Sequence, residues 1–214
     1  MSAFTLQDGL DYASVLVFAL TGALAASRSQ LDIVGFIFIA CLTAVGGGTL
    51  RDTILNREVF WVADPLPLGV ATAAAILVFF SAHLLESRYR ALLWFDAFAL
   101  AVAVPAGVAV ALAEGQGWPI VLVMGMLTGC MGGLLRDVVC NEVPLILKQG
   151  ELYATCAMAG SLGAVLAGLA GLGDGLSLVI CAALVFTLRA GSIALGWRLP
   201  VYRSQPPRPG APKR

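Results

Sequence analysis

Two arginine-aspartate pairs in apolar surroundings are the residues of this sequence whose type and spacing could do chemistry. Arg51 and Asp52 stand near the end of one long apolar stretch, and Arg136 and Asp137 stand near the end of another. If these stretches cross a bilayer, each charge costs about 2.5 to 3.5 kcal/mol even on the lenient insertion scale, so the residues must be paired or hydrated. Two interpretations stay open: the pairs hold helices in register, or they line a water-filled path and set its field.

Glycines come just before each pair and point to the backbone as a second source of ligands. Consecutive glycines weaken a helix by about 1 kcal/mol each relative to alanine, so we predict that both helices are broken or kinked there. Carbonyl groups that end a half-helix favour a cation, whereas amides that begin the next half favour an anion. The predicted kink residues are Gly46, Gly47, Gly48, Gly132 and Gly133.

Three threonines near the pairs, Thr43, Thr49 and Thr128, could add hydroxyl ligands along such a path. The commoner alternative is that each hydroxyl bonds a carbonyl group of its own helix. Together with the charge pairs they complete the set of predicted pore-lining or pore-supporting residues, which is Arg51, Asp52, Arg136, Asp137, Thr43, Thr49 and Thr128.

The two pairs belong to an internal repeat, which appears when the chain is shifted against itself by 85 residues (136 minus 51). The segment GGTLRDTILN at Gly47–Asn56 then aligns with GGLLRDVVCN at Gly132–Asn141, and six of ten positions are identical. The same shift superposes Asp11 on Asp96. Each arginine could reach an aspartate of its own repeat or of the other one, which would make a compact and neutral charge cluster.

The elements that position these residues must lie in lipid. The chain of 214 residues is 59% hydrophobic and 12% charged, with a mean hydropathy of +0.91, whereas a soluble domain carries about 25% charged residues. Thirteen basic and thirteen acidic residues cancel, so the net charge gives no reason to expect nucleic acid as a partner. The expected partners are membrane lipids.

Seven apolar segments are each long enough to span a bilayer, which takes about 20 residues. We predict an all-α integral membrane protein with seven transmembrane helices, at approximately residues 12–27, 33–56, 67–85, 91–113, 119–142, 152–172 and 175–197. An odd number of helices in each repeat inserts the second copy upside down relative to the first. The prediction is one transmembrane domain over residues 1–200, with repeat 1 at about 10–86, repeat 2 at about 91–172, helix seven at about 175–197 and a disordered cytoplasmic tail at 201–214.

Orientation follows from the basic residues, because lysine and arginine in short loops stay on the cytoplasmic side. With the N-terminus outside, ten of the thirteen basic residues lie inside: Arg28, Arg88, Arg90, Arg136, Lys148, Arg198, Arg203, Arg208, Lys213 and Arg214. We therefore predict a multi-pass protein of the cell (inner) membrane with the N-terminus outside and the C-terminus cytoplasmic.

Residues that enzymes and metal sites require are scarce. His83 is the only histidine, so neither paired histidine ligands for a metal nor a serine-histidine protease site can form within one chain. The two lysines, Lys148 and Lys213, lie in a loop and in the tail, which excludes a retinal Schiff base in the last helix. No nucleotide-binding motif occurs, so an ATPase of its own cannot drive transport. We predict no catalytic activity, no metal site and no cofactor.

One face of the sixth segment consists of small residues at helical spacing: Gly160, Gly163, Ala164, Ala167, Gly168 and Gly171. Such faces let helices approach closely in membranes. This face either packs inside the subunit, which we favour, or forms a subunit contact.

The doubled motif GG-x-L-R-D-x-x-x-N on the second and fifth of the seven segments resembles the prokaryotic trimeric intracellular cation (TRIC) channels, over roughly residues 10 to 198. This bacterial group is also described as carrying glycine-transporter domains. The resemblance implies a homotrimer in which each subunit has an hourglass pore bounded by the first six helices, kinked at the glycines of the second and fifth. It implies potassium as the favoured ion, with sodium also permeant. It places Arg51, Asp52, Arg136 and Asp137 at the pore constriction or its support.

The leading hypothesis from the sequence is a passive, potassium-favouring channel with a pore in each subunit between the two inverted repeats. A secondary transporter for glycine or a similar small zwitterion is the alternative, because inverted repeats with midplane breaks are also typical of transporters. A non-conducting membrane scaffold is a third option, with only the small-residue face to support it.

Overall fold

The chain folds into a bundle of helices. A computed structural model describes residues 6–85 and 87–202, and within these ranges extended backbone pairs at one isolated bridge, between Glu151 and Arg198. The helices are α1 (Leu6–Arg28), α2 (Ile33–Ile54), α3 (Phe60–Ala63), α4 (Leu66–Ser81), α5 (Arg88–Ala113), α6 (Trp118–Val139), α7 (Ala154–Leu169) and α8 (Asp174–Leu195). A short 3-10 turn follows α4 at Ala82–Leu84, and another precedes α7 at Leu145–Leu147.

Within the described residues, six helices are long and apolar enough to cross a membrane, and the chain is an all-helical membrane protein. These six helices are α1, α2, α4, α5, α6 and α8, and each overlaps one of the predicted segments. The predicted sixth segment corresponds to α7, whose 16 residues rise only about 24 Å at 1.5 Å each, less than a hydrocarbon core of about 30 Å. The count of seven spans therefore stays a prediction. The four-residue helix α3 is an element that the apolar pattern does not predict.

The bounds of α2 and α6 follow from local sequence. Asp32 caps the start of α2, where its carboxylate accepts a hydrogen bond from the Gly35 amide at 2.8 Å. Just beyond each helix, the asparagine of the repeated motif adopts a left-handed backbone, with a φ of 55° at both Asn56 and Asn141. Asparagine tolerates this conformation better than most residues that carry a Cβ, so both helices end at the same place in the motif.

Helices α2 and α6 cross at the glycines, and neither helix is broken there. The α-helical backbone of both helices is continuous through this region. A Cβ at Gly47 would lie 2.2 Å from the Thr128 carbonyl oxygen, and a Cβ at Gly132 would lie 2.4 Å from the Thr43 carbonyl oxygen. The predicted interruption is wrong because the glycines serve close approach of two helix backbones, and this packing offsets their weak helix propensity. A bend of either helix axis stays a prediction.

The small-residue face of α7 packs within the subunit against α8. A Cβ at Gly160 would lie 2.2 Å from Val185 Cγ2, and a Cβ at Gly163 would lie 2.3 Å from Leu184 Cδ1. Further along the same face, Gly168 has open space around it. The interpretation of this face as an internal packing surface is confirmed for its first two glycines.

The two halves of the bundle run in opposite directions. Arg28 at the end of α1 pairs with Glu142 just beyond α6 at 3.0 Å, and this side of the bundle is named the Arg28 end. Arg57, just beyond α2, pairs with Glu114 at the end of α5 at 3.4 Å, and the opposite side is named the Arg57 end. Helix α5 begins at the Arg28 end, because Arg88 donates to a carbonyl oxygen in the last turn of α1. Helices α1 and α5 therefore run in opposite senses.

The predicted tail, residues 201–214, is described only at Val201 and Tyr202, which are both exposed. Glu86 and the basic residues Arg203, Arg208, Lys213 and Arg214 lie outside the described residues. The disorder of the tail and the orientation with the N-terminus outside stay predictions.

Candidate functional site

The first charge pair forms a buried cluster with an aspartate of the same repeat. Arg51 Nε donates to Asp52 Oδ1 at 2.8 Å, and its two terminal nitrogens donate to the two carboxylate oxygens of Asp11 at 2.8 and 3.1 Å. Asp52 Oδ2 accepts the Phe60 amide at 3.0 Å, which fixes the start of α3. We call Arg51, Asp52 and Asp11 the Arg51 cluster.

The second pair repeats this arrangement at the 85-residue offset. Arg136 Nε donates to Asp137 Oδ1 at 2.8 Å, and Arg136 Nη1 donates to Asp96 Oδ1 at 2.9 Å. Asp137 Oδ2 accepts the Leu145 amide at 2.8 Å. We call Arg136, Asp137 and Asp96 the Arg136 cluster. Each arginine thus pairs inside its own repeat, which settles one of the alternatives that the sequence left open.

Each cluster contains one arginine and two aspartates, so its formal charge is −1 rather than the expected zero. The difference comes from Asp11 and Asp96, which the predicted site residues did not include. Their alignment with each other under the 85-residue shift is the sequence signal that identifies them. Buried charges need partners, so α1 and α5 each supply a carboxylate to the helix that crosses them.

An open cavity of about 900 Å³ lies at the Arg57 end, and we call it the vestibule. Its lining residues are Asp8, Tyr12, Arg57, Glu58, Phe60, Ala63, Asp64 and Leu66. Three acidic residues and one arginine give it a formal charge of −2. The Tyr12 hydroxyl donates a hydrogen bond to Asp64, and this bond lowers the pKa of that carboxyl below its ordinary value.

A second and much smaller cavity, of about 10 Å³, lies between the two repeats, and we call it the crossing cavity. It is lined by Asp11, Ser14, Phe18, Ala44, Gly47, Gly48, Phe60, Ala103 and Thr128. A cavity of this size has room for about one water molecule and is too small for a hydrated ion. Phe60 lines the vestibule as well, so its ring stands between the two spaces.

The Arg136 cluster has a closed environment. Asp96 Oδ2, Arg136 Nη2 and Tyr153 Oη are buried and have no hydrogen-bond partner within residues 6–85 and 87–202. The side chains of these three residues border Gly133. A Cβ added to Gly133 would lie 2.9 Å from Tyr153 Oη, 3.4 Å from Asp96 Oδ1 and 3.6 Å from Arg136 Nη2. Glycine at this position leaves the space that the three polar groups share.

The three predicted threonines use their hydroxyl protons within their own helices. Thr43 donates to the Ile39 carbonyl at 2.6 Å, and Thr128 donates to the Met124 carbonyl at 2.7 Å. Thr49 donates to the carbonyl four residues before it and also accepts the Trp61 indole N–H at 2.8 Å. Each hydroxyl therefore bonds a carbonyl group of its own helix, which is the commoner alternative given by the sequence. Thr128 lines the crossing cavity, and only the lone pairs of its hydroxyl can face that space.

A further buried arginine lies outside both repeats. Arg189 of α8 is fully buried and pairs with Glu151 at 3.0 Å, before the start of α7. Its guanidinium also lies over the Tyr153 ring, 5.1 Å from the ring centroid. Tyr153 thus lies between Arg189 and the Arg136 cluster. No sequence motif indicates that these residues meet.

Comparison with known proteins finds a family model described as "Glycine transporter", which matches residues 9–83 and 93–168. A membrane protein of Vibrio cholerae is 38% identical over 72% of this chain, and the chain spans 64% of that relative's length. The inner membrane protein YadS of Escherichia coli K12 is 39% identical over 72% of this chain and 74% of its own length.

A solved structure shares the fold over nearly the whole chain. It is described as the TRIC trimeric intracellular cation channel orthologue from Rhodobacter sphaeroides. The likeness has a TM-score of 0.86 with 40% sequence identity, and it covers 90% of this chain and 99% of the other.

Proposed function

This chain belongs to the glycine transporter family and shares the TRIC fold, and on that premise we propose that it is a passive channel for monovalent cations. The observation that carries the proposal is the acidic vestibule, which leads through Phe60 to the Arg51 cluster and the crossing cavity. Ions would pass between the two repeats of one subunit, with potassium favoured and sodium also permeant.

The charges along this route favour cations. The vestibule has a formal charge of −2, and the Arg51 cluster beyond it adds −1, so the local concentration of cations is raised and that of anions is lowered. Arg51 is held by two aspartates, which leaves little of its charge to repel a passing cation. Its pairing with Asp11 also holds that carboxylate at the edge of the crossing cavity.

The conformation described here is a closed one in this proposal. A cavity of about 10 Å³ admits no hydrated ion, so conduction requires the Phe60 ring and the crossing of α2 and α6 to move apart. Phe60 begins the four-residue helix α3, and its amide is held by Asp52. A change in the Arg51 cluster would therefore move the ring that closes the vestibule.

The finer features follow from the same premise. We propose a homotrimer in the inner membrane, because the similar Rhodobacter sphaeroides protein is described as trimeric. Seven spans, with α7 as the short one, form two inverted repeats, and the N-terminus lies outside. The vestibule then opens on the outer side of the membrane, and lipid surrounds each subunit.

A transporter for glycine is the second candidate, and the description of the family favours it. The Arg51 cluster offers both signs of charge, as a zwitterion requires. In this structure, however, the guanidinium of Arg51 is already occupied by two carboxylates, so it is not available to bind the carboxylate of an amino acid. We therefore place the channel first.

The test is potassium efflux from liposomes that contain the purified protein, followed by single-channel recording with potassium, sodium and glycine in turn. Asp11→Asn should lower the potassium current, whereas Asp174→Asn, an exposed acid at the start of α8, should leave it unchanged. Efflux no faster than from empty liposomes would contradict the channel. Saturable glycine uptake without unitary currents would favour the transporter.

A further inference from the structure

A pocket of about 190 Å³ at the Arg28 end lies outside the proposed ion route. It is formed where the end of α8 and the residues after it pack against the start of α5 and the segment before α7. The lining residues are Leu93, Glu151, Arg189, Ser192, Ile193, Gly196, Trp197 and Arg198. Two arginines and one glutamate give the pocket a formal charge of +1.

The buried arginine of this pocket has unused hydrogen-bond donors. Arg189 Nη1 donates to Glu151 Oε2 at 3.0 Å, but Arg189 Nε and Nη2 have no hydrogen-bond partner among the described residues. The side chain is 0% exposed, so water does not reach these nitrogens in the conformation described here. Unpaired donors on a buried cation are costly and favour the binding of an acceptor with negative charge.

The segment after α8 contributes Trp197 and Arg198 to the same pocket as Arg189. Gly196 has a left-handed backbone with a φ of 71°, and the chain then reverses over the end of α8. Three interactions hold this segment: the isolated bridge between Glu151 and Arg198, a hydrogen bond from the Leu199 amide to the Gly150 carbonyl at 2.9 Å, and one from Ser192 Oγ to the Trp197 carbonyl at 3.2 Å. A small movement here would expose the guanidinium to the pocket.

The neighbouring surface at the end of α8 is apolar and exposed. Leu195 is 68% exposed and Trp197 is 46% exposed, and tryptophan is enriched at the level of the lipid headgroups. Arg198 is exposed beside them. Basic pockets at the ends of transmembrane helices on the cytoplasmic side bind the phosphates of anionic lipids.

We propose that this pocket binds the phosphate group of an anionic phospholipid, with Arg189 and Arg198 as the two cationic ligands and Trp197 at the level of the headgroup. Arginine suits this role because its planar fork of donors matches the oxygens of a phosphate. Free inorganic phosphate has the same chemistry, but the apolar surroundings of Trp197 favour the lipid. The site is independent of conduction, so the proposed function and this inference fail separately.

The experiment measures lipid retention by native mass spectrometry, on protein equilibrated with equal amounts of phosphatidylglycerol and phosphatidylcholine. The wild-type protein should retain phosphatidylglycerol preferentially. Arg198→Gln should weaken that retention about fivefold, which is the effect of one basic group near an anionic surface. Arg90→Gln is the matched control, because Arg90 is an exposed arginine at the same end and does not line the pocket.

A second variant tests the buried ligand without leaving a lone charge in the protein. The double change Arg189→Gln with Glu151→Gln removes both partners of the pair and should abolish the preference for phosphatidylglycerol. Equal retention of the two lipids by the wild-type protein, or equal loss in the Arg198 and Arg90 variants, would overturn the site. Displacement of the lipid by an equal concentration of inorganic phosphate would overturn the assignment to a lipid.

Discussion

The two charge clusters of this protein have the same residue types and almost the same hydrogen bonds, yet their surroundings differ. Asp11 of the Arg51 cluster is 15% exposed and lines the crossing cavity, whereas Asp96 of the Arg136 cluster is 0% exposed. The counterpart of Tyr153 under the 85-residue shift is Leu68, and only the tyrosine places a hydroxyl against its cluster. Hydration of a buried ion pair is therefore decided by its neighbours and not by the motif itself.

This difference bears on the two interpretations of the pairs. We infer that the Arg51 cluster faces the ion route, while the Arg136 cluster holds α5 and α6 in register. A symmetric pore would require both clusters to be wet. Substitutions in the two repeats should therefore have different effects, and the largest is expected at the arginines.

The largest difference is expected when the arginines are neutralised. Arg136→Gln leaves Asp96 and Asp137 buried without their cation and should lower the free energy of unfolding by about 3 to 5 kcal/mol. Arg51→Gln should lower it by about 1 to 3 kcal/mol, because the Asp11 side chain is 15% exposed and water can reach it. Chemical unfolding in detergent measures both. Equal losses would show that the two clusters are equally dry.

The helix crossing, by contrast, should respond equally in both repeats. Gly47→Ala and Gly132→Ala each drive a methyl group against a backbone carbonyl of the other helix, so each should cost about 1 to 3 kcal/mol of unfolding free energy. Gly69→Ala in α4 is the control, because a Cβ there has open space around it. A crossing that tolerates either change would mean that the two helices are not in close contact in the membrane.

Substitution of the aspartate in α1 should affect conduction, whereas substitution of the aspartate in α5 should affect protein stability. Asp11→Asn should reduce single-channel conductance up to about fivefold, the effect of one unit charge near 4 Å in water. Asp96→Asn should change protein stability and leave the conductance of the folded fraction as it was. The reverse pattern would place the ion route through repeat 2.

A smaller effect is expected at Tyr153. Its hydroxyl is buried and has no partner in the part of the chain that the structure describes, so Tyr153→Phe should raise the free energy of unfolding by about 1 kcal/mol. Leu68→Ile, at the corresponding position of repeat 1, changes no polar group and serves as the control. A loss of stability in the phenylalanine variant would show that the tyrosine hydroxyl has a bound water or another partner.

The smallest expected effect is on the pH dependence of conductance, through Asp64 in the vestibule. The pKa of Asp64 is lowered by the hydrogen bond from Tyr12, so this carboxylate stays charged below the ordinary aspartate pKa of about 3.9 and becomes neutral only as the pH falls further. In Tyr12→Phe the pKa of Asp64 should rise toward its usual value. Conductance should then begin to fall at a higher pH as the vestibule side is acidified, and an unchanged pH profile would contradict this.

Helix positions and the repeat were predictable because they depend on local composition. A run of apolar residues identifies a span, and the asparagine that ends α2 and α6 is visible in the motif at Asn56 and Asn141. The predicted interruption of these helices was wrong for a reason that local sequence does not contain. A glycine pair has the same intrinsic helix propensity whether it faces lipid or another backbone, and Gly47 and Gly132 each face a backbone.

By itself, the amino-acid sequence determined the membrane location, the doubled motif and the residues able to carry charge, because these depend on composition and spacing. The tertiary structure alone decided which carboxylate each arginine binds, since Asp11 and Arg51 are 40 residues apart and meet only when α1 packs on α2. It also decided that one cluster borders the crossing cavity and the other is covered by Tyr153. Access of water depends on the atoms that surround a group in three dimensions, and a sequence pattern does not specify those atoms.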